Sequence, residues 1–410
     1  MHRLRRIMRH EPGRNEDYGL ARRVYRATLM ESRNDYIRDL LGSSKDPDIF
    51  RLVRQLDSRR TLPSMVNTQN ELVSTHEGIA ALVAEQLSPG EPSIWSPPVL
   101  DVGIDRQLEE GVRLSPTNTG PGIDDIGYPM IRFWMQEDRH GIERLMDYGM
   151  RHDIADWHMA EVVLIPKADK TRYDIVKSWR MIHLLPTLAK VAERIILQRI
   201  AAMVDLGDTQ FGSRRKRSCH DAISIVYEFL RYNRGMKCAM LSIDVEGGFD
   251  NVNIDHLSDF LVARGCSNHL TLWVRRWASN RSVRFRFNGR VSRVFHLCKG
   301  IPQGSPLSPF LFGANVADIF EPRILCTPVR RRITVSYVDD GVIIVAADTE
   351  DLARYTLTEA FDLCNTIAGK RGMGFSPSKI GFIGFGDRVW DGLAIGGIML
   401  QPSEDLRVLG

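Results

Sequence analysis

Asp339 and Asp340 stand side by side in ITVSYVDDGVIIVA, residues Ile333–Ala346, with strand-forming Val, Ile, Thr and Tyr on both sides. The pattern predicts a β-hairpin whose tip carries two carboxylates and Gly341. Adjacent carboxylates repel, and setting them between buried strands is costly unless a cation or an acid/base role offsets the cost. Hard divalent ions such as Mg²⁺ take a few carboxylate oxygens and keep positions open for water and phosphates, so the tip is a candidate metal site. A third carboxylate is then expected from elsewhere. Asp244, in AMLSIDVEGGFD (Ala239–Asp250), supplies it from the end of another apolar strand. Three carboxylates placed this way can hold two Mg²⁺ ions roughly 3.5–4 Å apart, which clamps the attacking and leaving oxygens in phosphoryl or nucleotidyl transfer. The plain alternative for an acid pair is a solvated turn, and the second stretch weighs against it.

Such chemistry also needs cations for phosphate. Lys167 ends the strand-like EVVLIPKADK and Arg180 sits in SWRMIHLLP. Together they make a triphosphate clamp, because a guanidinium grips phosphate oxygens in pairs and an ammonium acts as a point charge. Either one alone reads as a surface cation. In KGIPQGSPLSPFLF (Lys299–Phe312), Gln303 between Pro302 and Gly304 can present its amide unobstructed, or it belongs to a structural turn. Ser308 and Pro309 predict the cap and first turn of the next helix.

Arginines also alternate with apolar residues. Val283, Phe285 and Phe287 interleave with Arg284 and Arg286 up to Asn288 and Gly289, a strong hairpin signal. The cationic face of that ribbon suits a template strand. The basic run in QFGSRRKRSCHDA (Gln210–Ala222) suits a nucleic-acid backbone or, equally, a nuclear-import signal.

The elements that must carry these residues are legible from periodicity. Leu188, Val191, Ala192 and Ile195 fall at helical spacing after Pro186, and Leu270, Trp273, Val274 and Trp277 mark another helix face, most simply a core face. Helices are expected over Tyr25–Leu41, Asp48–Leu56 and Asn70–Leu87, then a Pro/Ser-rich linker at 88–100. In Ser115–Tyr128, Gly120 and Gly122 allow backbone conformations that other residues resist. The 410 residues allow two or three domains, and a formal charge of +4 says less than its local clumping at Arg3–Arg9, Arg214–Arg217, Arg284–Arg293 and Arg330–Arg332. Six scattered cysteines without a CxxC pair point to a reducing compartment and no structural zinc. No apolar run approaches the roughly 20 residues of a membrane span and no signal-peptide core is present, so an intracellular protein without membrane partners is expected.

Taken together, LSIDVEGGFD, GIPQGSPLSPFLF and SYVDDG, in this order and spacing, resemble the successive palm motifs of reverse transcriptases, nearest to those of non-LTR (LINE-like) retrotransposons, with a fungal type as one expectation. The resemblance runs from about Gly120 to Gly410. It takes in GPGIDDI, LIPKADK, SWRMIHLLPTLAKVAERII and QFGSRRKRS upstream, with GMGFSPSKIGFIGF and LRVLG downstream.

The resemblance implies an α+β right-hand polymerase, with a small antiparallel palm sheet flanked by helices. The implied divisions are a helical extension and linker over 1–100, fingers over 101–238, palm over 239–400 with a fingers-type hairpin near 281–297, and the start of a truncated thumb over 401–410. It implies RNA-directed DNA polymerisation with two Mg²⁺ (or Mn²⁺), on an RNA template and DNA primer with deoxynucleoside triphosphates, in nucleus or cytoplasm. Asp244, Asp339 and Asp340 would bind metal, helped by the Val245 carbonyl. Lys167 and Arg180 would bind triphosphate, Phe249 would lie against the incoming sugar and exclude a 2′-hydroxyl, Gln303 would touch the nucleotide near its 3′-OH, and Lys379 would protonate departing pyrophosphate.

Three positions depart from the family pattern: Met181 for Pro, Gly248 for Ala and Ile380 for Thr. No endonuclease, RNase H or zinc-knuckle sequence is visible, which reads as an excised core. The competing expectations are an inactive nucleic-acid-binding remnant and an RNA-dependent RNA polymerase; Tyr337, Val338 and Phe249 argue against the latter.

Overall fold

A computed structural model describes residues 62–87, 105–113, 115, 119–152, 155–167, 170–321, 325–386, 390–406 and 408. They belong to one of two compact units, Ser58–Gly410, the other being Met1–Asp57. The helices expected over Tyr25–Leu41 and Asp48–Leu56, the Arg3–Arg9 cluster and the linker at 88–100 lie outside the described residues.

Helix α1 spans His76–Gln86, six residues shorter at its start than the expected Asn70–Leu87. The Thr75 hydroxyl accepts from Gly78 N and fixes that start. Just before it, Leu72–Val73 pairs with Met65–Val66.

Strands β1 (Met159–Pro166) and β2 (Trp179–Leu184) pair antiparallel, so Ile165 lies opposite Arg180. Helix α2 (Thr187–Met203) follows Pro186 and buries Leu188, Val191, Ala192 and Ile195, as their spacing predicts. Gly122 is needed here for close approach: a Cβ on it would overlap the Leu185–Pro186 peptide. Its φ is negative or extended, so the expectation of an unusual backbone conformation gives way to one of crowding. Helix α3 (Cys219–Tyr232) starts at a capping box of Ser218 and Asp221. Strand β3 (Lys237–Asp244) and helix α4 (Asn268–Ser279) come next, with Leu270, Trp273, Val274 and Trp277 in the core.

Strand β4 (Arg281–Phe287) joins the first sheet, parallel to β1 and antiparallel to β5 (Phe295–Leu297). Asn288 and Gly289 both have positive φ, 52° and 70°, as a two-residue hairpin turn requires. The arginines behave differently from expectation. Arg284 Nη2 is 3.2 Å and Arg286 Nε 2.5 Å from the carboxylate of Glu161, a side chain only 4% exposed on β1. Part of their charge is thus offset by a buried acid of the neighbouring strand, while both side chains stay partly exposed.

Helix α5 (Ser308–Val316) is buried almost throughout. The cap expected of Ser308 is supplied instead by Ser305, whose hydroxyl accepts from Leu307 N at 3.0 Å and Ser308 N at 3.2 Å. That hydroxyl donates in turn to Glu193 Oε2 at 2.6 Å.

The second sheet is completed by β6 (Arg330–Tyr337), β7 (Asp340–Ala347) and β8 (Gly381–Gly384), in the order β8–β3–β7–β6 with Leu325–Cys326 on the outer edge. Pairings along this path are antiparallel. Leu241, Ile243, Ile343 and Val345 face the large core with α6 (Glu350–Lys370). The alternate residues Met240, Val342 and Ile344 face Ala222 and Val226 of α3. With both faces covered, the run GVIIVAA must be apolar at every position instead of alternating. The α+β architecture expected from the sequence is the one observed, with this antiparallel sheet flanked by helices. Among the described residues no helix is long and apolar enough to cross a membrane.

Candidate active site

The acidic residues meet because of strand register. Tyr337 and Asp340 form the last pair of the β6–β7 hairpin, which leaves Val338 and Asp339 as its two turn residues. On the other side of β7, Asp340 lies directly opposite Asp244, the last residue of β3. The chain then locks onto the turn, since Val245 N donates to Asp339 O at 3.2 Å. Asp244 and the adjacent pair Asp339 and Asp340, well separated in the chain, thus share one end of the sheet.

Electrostatics record the crowding. Burial raises Asp339 above the usual carboxylate range, and the neighbouring charge of Asp244 adds to it. Asp340 is pushed up to about 6 by burial, then by the charges of Asp339 and Asp244. Lys379 offsets part of this: its Nζ donates to Asp244 Oδ2 at 2.7 Å.

Such a site is short of positive charge, and its oxygen donors are the ligand type Mg²⁺ takes. Among the described residues no three His, Cys, Asp or Glu side chains are already closed up as a metal-ligand set. The Asp244 carboxylate interacts with both the Asp340 side chain and, through Oδ2, Lys379. These oxygen donors at one end of the sheet fit a hard divalent cation.

The cations predicted for phosphate gather beside the acids. Lys167 is lowered by burial and then by the charges of Lys170, Arg180 and Lys379, so these four share one electropositive region. Lys167 Nζ donates to Lys177 O at 2.8 Å, while Arg180 projects from β2 to solvent. Asp250, which feels the charges of Arg281 and Lys167, is nevertheless pushed up to about 6 by burial.

The remaining predicted residues border this region. The Phe249 ring packs 5.1 Å from that of Phe312, and its carbonyl accepts from Ile301 N at 2.8 Å. The Gln303 carbonyl accepts from His183 N of β2 at 2.7 Å, which lays the PQG loop along the strand that carries Arg180. A Cβ on Gly304 would overlap His183 O.

Two departures from the family pattern have local reasons. Gly248 has φ +42°, which an alanine resists, and Met181 is buried in the core of the first sheet, away from solvent.

The basic run after Gln210 is used largely within the chain. Arg214 pairs with Asp205 at 2.9 Å and donates to Gly207 O and Gln210 O. Arg217 donates to Asp208 O at 2.7 Å. Arg215 and Lys216 face solvent.

Sequence reasoning missed Gln210, which reaches the acidic turn, and Glu193, which holds the PQG loop through Ser305. The signal for Glu193 was slight: one acid among the apolar positions of α2.

A family profile for reverse transcriptase (RNA-dependent DNA polymerase) matches residues 165–410. The chain is 25% identical over 264 residues to the RNA-directed DNA polymerase from mobile element jockey of Drosophila melanogaster, covering 62% of this chain and 28% of that one. It is 27% identical over 281 residues to the Retrovirus-related Pol polyprotein from type-1 retrotransposable element R1 of Bradysia coprophila, covering 66% and 26%. With the Transposon TX1 uncharacterized 149 kDa protein of Xenopus laevis it shares 24% over 261 residues, 60% and 20% of the two chains. The chain thus spans less than a third of the length of each of these relatives. They come from animals and lend the expected fungal type no support. Among solved structures, apo telomerase from Candida tropicalis truncated from the C-terminal domain is similar at a TM-score of 0.42 and 13% identity, over 61% of this chain and 54% of that one.

Proposed function

The chain belongs to the reverse transcriptase (RNA-dependent DNA polymerase) family, and from that premise we propose that it extends a DNA primer on an RNA template as part of a non-LTR retrotransposon protein. The observation that carries the reading is the pairing of Asp244 with Asp340 across β3 and β7, with Asp339 tied to Val245 N. Asp244, Asp339 and Asp340, with the Val245 carbonyl, would hold two Mg²⁺ or Mn²⁺ ions. When bound, such ions neutralise charge on the transferred phosphoryl group and ready the primer hydroxyl for attack.

The chain's own groups do the rest. Lys167 and Arg180 bind the triphosphate, and the positive charge they share with Lys170 and Lys379 is what a negative nucleotide tail seeks. Phe249 stands against the sugar and leaves no room for a 2′-hydroxyl. Gln303 meets the nucleotide near its 3′-OH. Lys379, whose Nζ rests on Asp244 Oδ2, would give a proton to departing pyrophosphate. In this reading 101–238 are fingers, 239–400 palm with the 281–297 hairpin belonging to the fingers, and 401–410 lead into a thumb. The partners are an RNA template, a DNA primer and deoxynucleoside triphosphates, met in the nucleus or cytoplasm.

Primer extension on poly(rA)/oligo(dT) tests the whole reading. Incorporation of dTTP over UTP is expected. Asp339→Asn should abolish it while salt-sensitive RNA binding stays nearly intact. Preference for UTP would indicate an RNA polymerase, binding without incorporation an inactive remnant, and extension retained by Asp339→Asn would reject the assigned site.

A further inference from the structure

Val338, the residue just before the acid pair, has φ +61°. That region is uncommon for any residue but glycine and is most resisted by β-branched side chains such as valine. One side chain holds it there. Gln210 is fully buried, and its Oε1 accepts from Val338 N at 3.0 Å and from Gly212 N at 2.8 Å. Its Nε2 points at Val338 O, 3.4 Å away. A single amide thus addresses both polar groups of the strained residue.

The surrounding strip is built to deliver that amide. Residues 209–211 run alongside the end of β6, with Ser336 N donating to Thr209 O and Phe211 N to Ser336 O, each at 2.8 Å. Gly212 is crowded against the turn: a Cβ there would overlap Val338 N and Cγ2. Arg214 ties the strip down through Gly207 O and Gln210 O. Pairing of β6 with β7 ends at Tyr337 and Asp340, so the peptide between them takes its orientation from Gln210 and from Val245.

We propose that Gln210 is a positioning residue: by gripping Val338 on both sides it sets the direction in which Asp339 and Asp340 present their carboxylates, and hence how well the site takes a divalent cation. The inference rests on the reading that these aspartates bind metal. Without the amide, Val338 relaxes out of the left-handed region and turns Asp339 with it. Glycine at 338 has no such tendency and needs the amide less.

The test compares the full chain with Gln210→Leu, Val338→Gly and the double variant. Three quantities are read: Mn²⁺ affinity without nucleotide by electron paramagnetic resonance, kcat and KM for dTTP in primer extension, and thermal unfolding. Gln210→Leu should bind Mn²⁺ roughly tenfold more weakly, as loss of a group that orients ligands does. It should lose about 10²-fold in kcat with KM within about threefold. The double variant should regain roughly tenfold in kcat over Gln210→Leu. A folded Gln210→Leu with unchanged Mn²⁺ affinity and kcat, or losses in the two single variants that simply add, would overturn the proposal.

Should Gln210→Leu fail to fold, hydrogen exchange on the unmodified chain decides. A slowly exchanging Val338 amide is expected, and exchange as fast as an open turn rejects the grip. A wild-type chain that neither binds Mn²⁺ nor incorporates dTTP would reject the underlying metal-site reading instead.

Discussion

Phe249 illustrates how much one side chain can decide. Its ring leans on Phe312 and its backbone on Ile301, so it is held from two sides, five positions along the chain from Asp244. If its face excludes a 2′-hydroxyl, the exclusion is steric and trimming the ring should relax it. Phe249→Val is expected to raise UTP incorporation relative to dTTP by about tenfold or more, read from the ratio of kcat/KM values on the same primer. The residue was legible by its distance from Asp244. What holds its ring was not, because Phe312 and Ile301 lie some fifty or sixty positions further along the chain.

At the level of elements, the two sheets were forecast unevenly. The acidic hairpin announced itself through β-branched runs and a two-residue tip. The β4 hairpin did so through Asn288–Gly289, and α2 and α4 through apolar spacing. The fate of the arginines on β4 was not forecast, since Glu161, their partner, lies more than a hundred residues away on a strand that only the fold makes adjacent. Glu161 is the acid in both ion pairs, with Arg284 and Arg286. Glu161→Gln should therefore destabilise the first sheet by about 2 kcal/mol, because the arginines keep charge that loses its buried partner. Chemical denaturation would show it as a lower midpoint at unchanged slope. The cap on α5 teaches the same point: Ser308 has the right type, but Ser305 has the right place, held there by Glu193 of α2.

For the whole molecule, several buried acids should govern the response to pH. Burial raises Glu193 to about 7, and Asp250 and Asp340 to about 6. A carboxyl whose folded pKa lies above its unfolded value favours the fold while protonated. The contribution is full below the unfolded value near 4 and is lost as pH climbs through 6 to 7. Lys190, lowered to about 8 by burial, acts above this window, whereas His183, pushed down to about 3 by burial, favours the fold as pH rises past its ordinary value and offsets part of the trend. The metal-free chain is thus expected to melt several degrees lower at pH 7.5 than at pH 5.5. Mg²⁺ should recover part of the difference at pH 7.5 by binding the folded state alone. Glu193→Gln should flatten the slope without changing the effect of Mg²⁺, since Glu193 hydrogen-bonds Ser305 and Trp277 and none of the three aspartates. Calorimetric scans at the two pH values, with and without Mg²⁺, check both statements.

By itself the sequence determined the family and the α+β class, forecast several of the strands and helices, and singled out the acids and cations proposed to bear the chemistry, because those properties reside in local spacing and residue type. The tertiary structure decided who touches whom. Register put Asp244 opposite Asp340, burial turned Arg284 and Arg286 onto Glu161, and a buried glutamine more than a hundred residues upstream came to hold Val338. Such pairings depend on close approach between segments distant in the chain. Periodicity carries no information about which buried polar atom will be left to satisfy another until the packing brings them within hydrogen-bond reach.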